Sequence, residues 1–267
     1  MASENVMLSL MAVSALVPAA FIGFRKAPAK DAVFWLFLAV AFVGPFLWIV
    51  TAMTAAWRTD VSAALWITVA ATLAAYAIIA TFDEDAWRLS PLIWPLTLVL
   101  GLFAAIWTQQ VSSKPMAETL VGWVGLHIAV SVATYALVTI AAVAALAGVL
   151  QERALKSKRP TDLTRMLPSI TACDALMFRL MAIGEAVLAL GLISGMALNY
   201  GDTGTLASLD HKTVLAFGAF TLIGVLLAAH HLFGLRGRKA ARWALSAYLF
   251  LTLGYPGVKF VTDVVLG

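Results

Sequence analysis

Eight stretches of the chain are long and apolar enough to cross a membrane, and this feature constrains the fold more than any other. A spanning helix needs about 20 apolar residues. The candidate spans cover residues 5–24, 33–56, 61–82, 91–110, 119–150, 174–200, 207–234 and 241–265. The sequence lacks the alternation of barrel strands, and its mean hydropathy is +0.94. The chain is therefore predicted to be all-α, a polytopic integral membrane helical bundle.

The distribution of Lys and Arg predicts the orientation of the bundle. Thirteen of these residues lie in the first, third, fifth and seventh loops, and three, Arg58, Lys114 and Lys212, lie in the other loops. Positive loops stay in the cytoplasm, so both termini are predicted to be extracytoplasmic. The N-terminal apolar run precedes its basic residues, which favours a retained span over a secretory signal. The net charge of +4 is therefore explained by basic residues in the loops that orient the spans, and it does not indicate nucleic-acid binding.

The fifth span carries a polar stripe. His127, Ser131, Thr134 and Tyr135 stand at i, i+4, i+7 and i+8, which is one face of a helix. This face should point into the bundle. Two roles remain open for it: hydrogen bonding between helices, or a metal or haem ligand at His127, because imidazole is the commonest metal ligand.

The seventh span has polar residues at both ends. Asp210 can cap its start, so His211 and Lys212 are placed to meet a carboxylate-bearing ligand, or they only end a loop. His230 and His231 end the span on the cytoplasmic side. Adjacent helical residues diverge by about 100°, so the two cannot bind one metal, and favourable charge at a helix C-terminus explains them best.

Ionisable residues also lie in the sixth and eighth spans. Glu185 stands near mid-membrane, either in a structural role or in proton relay. Lys259 and Asp263 form an i, i+4 pair next to Pro256 and Gly257, which are expected to interrupt the helix.

The predicted topology gathers polar groups on the outer side. His127, His211, Lys259 and Asp263 all fall in the outer half of the bundle, which predicts an outward-facing polar pocket between spans five, seven and eight. The single cysteine, Cys173, excludes an intramolecular disulfide and a multi-thiolate metal site. Motifs of serine nucleophiles, P-loops, Rossmann folds and paired-His zinc sites are missing from the sequence, so turnover chemistry of its own is not expected.

Several separated motifs resemble a known family. They are LHIAVSVATYAL at 126–137, QERALK at 151–156, FRLMAIGEAVLALGLISG at 178–195, DHKTVLAF at 210–217, FGLRGRKAARW at 233–243 and GYPGVKFV at 254–261. In this order they resemble the cytochrome c assembly family of haem-handling membrane proteins, and the HemX/YpjD-like branch most closely. The resemblance runs from about Trp123 to Gly267 and implies a bacterial inner-membrane protein. A cytochrome c assembly-like four-span region is therefore expected in residues 116–267, after four N-terminal hydrophobic spans in residues 1–115.

The resemblance also implies a cofactor site. In the family, a histidine that opens this kind of span ligates haem iron on the outer side, which assigns that role to His127. His211 is the candidate second ligand, giving non-covalent bis-histidine haem b, with Lys212 or Lys259 at the propionates. His230 matches a histidine suggested to receive haem from the inner side. The lipid bilayer, haem, and a cytochrome c maturation or haem-synthesis protein are the expected partners.

Two departures from the family argue against full haem export. The haem-exporting relatives carry a tryptophan-rich loop, whereas the corresponding NYGDTGTLASLD here contains no tryptophan. They also carry a further outer histidine where this chain has GVKFVTDVVLG. An accessory or regulatory haem-binding role is therefore expected. The alternatives are a small-solute or proton-coupled transporter that uses Glu185, Lys259 and Asp263, and a haem-free membrane scaffold.

Overall fold

The structure is a computed structural model, and it describes residues 2–22, 29–53, 56–58, 60–108, 113–115, 122–205 and 210–261. These residues are almost entirely helical. The elements are α1 (Ala2–Ile22), α2 (Ala32–Ala52), β1 (Ala56–Arg58), α3 (Val61–Phe82), a 3₁₀ turn (Ala86–Leu89), α4 (Ser90–Ile106), β2 (Ser113–Pro115), α5 (Trp123–Ser157), α6 (Asp162–Met166), α7 (Ile170–Thr203), α8 (His211–Phe233), α9 (Gly237–Thr252), a π-helical turn (Leu253–Gly257) and α10 (Val258–Phe260).

The all-helical membrane fold is confirmed, with six helices among the described residues long and apolar enough to span a bilayer. They are Ala32–Ala52, Val61–Phe82, Ala86–Ile106, Trp123–Ser157, Ile170–Gly201 and His211–Phe233. The first predicted span corresponds to a shorter apolar helix at Asn5–Phe21. The eighth corresponds to α9, whose 16 residues run into the π-helical turn. The β1 and β2 strands, of three residues each, pair antiparallel.

The polar stretch after the fifth span is more helical than expected. Helix α5 continues through QERALK as far as Ser157, supported by the i, i+4 ion pair of Glu152 and Lys156. Lys158 is the C-cap of the helix, with a φ of +53°, and stands two residues before a proline. The predicted interruption of the last span is found as the π-helical turn around Pro256.

The chain forms two compact units. The first contains Met1–Met116 and Pro160–Pro168, and the second contains Ala117–Arg159 and Ser169–Gly267. The short segment 160–168 is therefore part of the first unit, although it connects two helices of the second. Arg88 holds it there by donating from Nε to the Met166 carbonyl, at 3.2 Å, and from Nη2 to the Arg165 carbonyl, at 3.3 Å.

Large aromatic side chains form the core of the first unit. Trp48, Trp66 and Trp94 are almost fully buried. Trp48 Nε1 donates to Ser9 Oγ at 2.9 Å, so its polar edge is satisfied. A buried ion pair closes one end of α3, where Arg58 donates from Nε to Asp60 at 2.8 Å.

Helices α5 and α7 form the centre of the second unit, and glycines on α7 bring them close together. A Cβ on Gly184 would lie 3.1 Å from Val138, and one on Gly191 would lie 3.5 Å from Val130. Small residues allow such close approach of membrane helices. Helix α9 packs on α5 and α8. Together these helices enclose the cavity described next.

Candidate functional site

A cavity of about 420 Å³ opens among α5, α7, α8 and the π-helical turn, entirely within the second unit. Its walls are mainly apolar, with polar groups at a few positions. The lining residues include His127, Ser131, Thr134, Tyr135, Leu188, Gly191, Leu192, Gly195, Met196, Asn199, Asp210, Lys212, Thr213, Phe217, Leu251, Gly254 and Tyr255. A largely apolar cavity with a few convergent polar groups is typical of a small-molecule site.

The cavity extends far along the helices that line it. Along α7 its lining runs from Asn199 to Leu188, which is about 16 Å at the rise of an α-helix. Along α5 it runs from His127 to Tyr135, about 12 Å. The whole predicted stripe of the fifth span lies on this wall. The polar residues of that helix therefore face a cavity inside the second unit.

His127 is held at the cavity wall by α7. Its Nδ1 lies 2.9 Å from Ser194 Oγ, and its ring packs on Gly195, where a Cβ would stand only 3.0 Å from His127 Cε1. The Ser194 hydroxyl itself donates to the Gly191 carbonyl at 3.0 Å. Each of these three positions on α7 thus contributes to holding one imidazole.

This arrangement selects a tautomer of His127. A serine hydroxyl has one proton, and that of Ser194 is used on the Gly191 carbonyl, so Oγ must accept from Nδ1–H. The unprotonated nitrogen of the neutral ring is then Nε2, the nitrogen on the other side of the ring from the Ser194 contact. Metal-ligating histidines characteristically donate from one ring nitrogen to the protein and ligate through the other.

Charged and polar side chains surround the mouth of the cavity. Asp210 caps α8 by accepting from Thr213 N–H at 2.8 Å. Hydrogen bonding to the side chain of Thr213, and then to its backbone N–H, lowers the pKa of the Asp210 carboxyl below its usual value. Asn199 donates to the Thr205 carbonyl at 2.7 Å and so fastens the end of α7. Lys212 lines the cavity and brings a positive charge to it.

Tyrosine and threonine side chains from α5 and α9 close the deep end. The Tyr135 hydroxyl lies 3.1 Å from Thr252 Oγ1, and Thr252 donates to the Tyr248 carbonyl at 2.8 Å. Tyr135 is 4% exposed. Tyr255, in the π-helical turn, lines the cavity and packs on the Tyr135 ring. Isolated π-helical turns often occur at functional sites.

The structure brings only part of the predicted set of site residues into this cavity. His127 and Lys212 line it, whereas His211 is exposed at the start of α8 and is not a lining residue. Successive helical positions point about 100° apart, so neighbouring residues 211 and 212 have different surroundings. The Lys259 side chain and the whole of Asp263 lie outside the described residues.

His230 lies at the opposite end of α8, about 28 Å along the helix from His211. Its Nδ1 donates to the Leu235 carbonyl at 2.9 Å, and its ring stacks on Phe178 with 3.6 Å between centroids. His231 is exposed. Among the described residues there is no group of three His, Cys, Asp or Glu side chains that could hold a metal ion.

Two residues of the site were not predicted from the sequence: Ser194, which holds His127, and Asn199, which lines the cavity. Both lie on α7, which the pocket prediction left out. A signal exists in the spacing, because Asp174, Phe178, Met181, Glu185, Leu188, Leu192, Gly195 and Asn199 recur at alternating intervals of three and four. That periodicity marks one helical face. Its outer half lines the cavity.

A protein-family model and known bacterial proteins match this chain. The family model described as "Cytochrome C assembly protein" matches residues 30–266. The chain is 49% identical over 271 residues to an "Uncharacterized 28.8 kDa protein in nifR3-like 5'region" of Azospirillum brasilense, covering 99% of this chain and 100% of that one. It is 27% identical over 179 residues to inner membrane protein YpjD of Escherichia coli K12, covering 67% of this chain and 66% of that one. No solved structure matches the chain.

Proposed function

Because the chain belongs to the cytochrome c assembly protein family, we propose that it is a haem-binding integral membrane protein that serves cytochrome c biogenesis or haem handling. The observation that carries the proposal is that His127 lines a deep, largely apolar cavity while its Nδ1 is hydrogen-bonded to Ser194, which leaves Nε2 as the candidate ligand atom. One pre-oriented imidazole in an apolar cavity is what a haem protein offers to iron.

The residues present fit an iron porphyrin. The cavity of about 420 Å³ lies within the usual range of about 300–1,000 Å³ for small-molecule sites. Apolar side chains such as Leu188, Leu192 and Phe217 can pack on a macrocycle, and Lys212 at the mouth can pair with a propionate. When bound, haem supplies a redox-active iron. We propose His127 and Lys212 as its principal contacts, with Lys259 as a further partner of the propionates.

Ligation by a second histidine stays a prediction. His211 starts the helix that carries Lys212 but does not line the cavity, so bis-histidine haem b requires its ring to reach the iron from the mouth. His211→Ala tests this, since conversion of a six-coordinate low-spin spectrum to a five-coordinate one supports the pair. An unchanged spectrum removes His211. His230 is proposed only as an inner-side contact, away from this cavity.

An accessory or regulatory role is proposed, because residues 199–210 contain no tryptophan to stack on haem. We propose a cytochrome c maturation or haem-synthesis protein as the partner.

We further propose that the chain has eight spans in the inner membrane with both termini outside. Cysteine labelling tests the topology, because the single natural cysteine is buried. In a Cys173→Ser background, an impermeant thiol reagent added outside should label Thr205→Cys and spare Lys158→Cys.

The decisive experiment is an absorption spectrum of detergent-purified protein, oxidised and reduced, as isolated and after haem reconstitution. We expect a Soret band in the wild type, its strong loss in His127→Ala, and its retention in His231→Ala, since His231 is exposed at the other end of α8. Equal haem content in the two variants would remove His127 as a ligand. A wild-type protein that binds no haem would contradict the proposal and favour a transporter or scaffold.

A further inference from the structure

Glu185 lies under the floor of the cavity. It stands at the middle of the spanning helix Ile170–Gly201. The residues 3, 7, 10 and 14 positions after it share its face of α7, and all four line the cavity: Leu188, Leu192, Gly195 and Asn199. Glu185 therefore lies one helical turn beyond the deepest lining residue of α7. It lies on the same face of α7 as these lining residues.

Glu185 has no partner for its charge among the residues that the structure describes. Oε2 is buried and has no hydrogen-bond partner within the part of the chain that the structure describes. Oε1 occupies space that α8 leaves empty, because a Cβ on Gly224 would stand 3.2 Å from it. The neighbouring Gly184 faces Val138 of α5. The carboxyl thus sits in a closely fitting, apolar crevice between helices.

On the helices that pack around α7, the titratable groups lie nearer the ends of the helices than Glu185 does. Helix α8 has none between Lys212 and His230, and α5 has none between Tyr135 and Glu152. On α9, Arg242 is exposed and Tyr248 faces Tyr135, and on α7 itself Arg179 is exposed. No described ion pair includes Glu185. Within the described part of the chain, the ionised form consequently has no charged partner to offset its desolvation.

An unpaired carboxylate in a membrane interior is costly, and such residues mark functional sites by default. Packing alone does not require an acid here, since an apolar side chain of similar size would fill the same crevice at lower cost. We propose that Glu185 is a proton-binding site inside the membrane that exchanges protons with the cavity above it. The step is the transfer of one proton from hydronium in the cavity to the carboxylate, giving the neutral acid and water, and its reverse.

Such a site can compensate for charge that enters the cavity. A ligand that brings positive charge to His127 favours release of the proton from Glu185, and removal of that charge favours uptake. This coupling to haem rests on the proposed function, whereas the proton site itself does not. The two are separated by measuring the haem-free protein first.

Infrared spectroscopy of the haem-free protein tests the proton site. We expect a C=O stretching band of a protonated carboxylic acid in pH-difference spectra, with a shift in D₂O that reports exchange with water. Glu185→Gln should remove this band, and Glu84→Gln, which changes an exposed carboxyl, should leave it. Gly224→Ala should shift its frequency without removing it, because the new methyl group presses on Oε1.

The coupling to haem is tested by repeating the infrared measurement after haem is added to the same samples. If haem binds and the pH midpoint of the Glu185 band moves to lower pH, the coupling is supported. If haem does not bind, the proposed function fails while the band still reports on the proton site. Absence of the band at every accessible pH, its persistence in Glu185→Gln, or failure to exchange in D₂O would overturn the proposal.

Discussion

The His127 ring is hydrogen-bonded through Nδ1 to Ser194 Oγ at 2.9 Å, and this contact joins α5 to α7 at the cavity wall. The Ser194 hydroxyl is in turn anchored to the Gly191 carbonyl of its own helix. A neutral hydroxyl is a weaker acceptor than the carboxylate that often holds a metal-binding histidine. The imidazole is therefore oriented while keeping little imidazolate character.

Ser194→Ala should weaken haem binding by about 10- to 100-fold, the usual effect of losing a hydrogen-bond partner of a ligating histidine. The ring would keep its place beside Gly195 but lose the bond that fixes the tautomer. Haem titration followed at the Soret band measures the affinity.

Ser194→Thr provides the matched control, since it retains the hydroxyl. It should restore most of the affinity and the iron–histidine stretching frequency in resonance Raman spectra. Equal loss in the Ala and Thr variants would point to altered packing of α7, and no loss in either would refute the positioning role.

Gly195→Val should displace the His127 ring and strongly lower haem content. Any Cβ at this position already lies 3.0 Å from Cε1, and the branched methyl groups extend further. Gly201→Val is the control on the same helix, because a Cβ there meets nothing within 4 Å. The measurement is the ratio of Soret to protein absorbance, and similar ratios in the two variants would contradict the geometry.

The general fold and one wall of the cavity could be predicted from the sequence. Apolar length predicts spanning helices irrespective of detail. His127, Ser131, Thr134 and Tyr135 share one face, and polar groups in an apolar helix gain by facing the protein interior. The structure places all four on the cavity wall.

Contacts that depend on the register between helices could not be predicted. Ser194 is an ordinary residue for a membrane helix, and it becomes important only because the glycine-mediated packing sets it opposite His127. The separation of His211 from Lys212 depends on where Asp210 caps α8. A start one residue away would rotate both side chains by about 100°.

Asp60→Ala should destabilise the first unit substantially. Asp60 is 1% exposed, binds Arg58 Nε at 2.8 Å, and caps α3 by accepting from Ala63 N–H at 3.0 Å. Removing it leaves the buried Arg58 charge unpaired, which costs about 3–5 kcal/mol.

Thermal unfolding in detergent, followed by intrinsic fluorescence, measures this effect. Asp85→Ala is the control, because Asp85 is exposed and its side chain makes no capping bond at the 3₁₀ turn. Comparable stability of the two variants would show that the ion pair does not hold the start of α3.

The Asp210 cap should make the stability of α8 depend on pH. Its carboxylate accepts hydrogen bonds from the side chain and the backbone N–H of Thr213, so its pKa is lower in the folded than in the unfolded protein. A group of this kind stabilises the fold fully at pH above its unfolded pKa of about 3.9. The contribution of the charge is lost as pH falls through the folded-state value.

At neutral pH, Asp210→Ala should cost about 1 kcal/mol, and in acid the gap between the variant and the wild type should narrow. Asp210→Asn keeps an acceptor without the charge, so its stability should lie between those of the wild type and Asp210→Ala at neutral pH, with a flatter pH profile. Apparent melting temperatures across a pH series measure all three proteins, and a constant gap between wild type and Asp210→Ala down to acid pH would contradict capping by the ionised carboxylate.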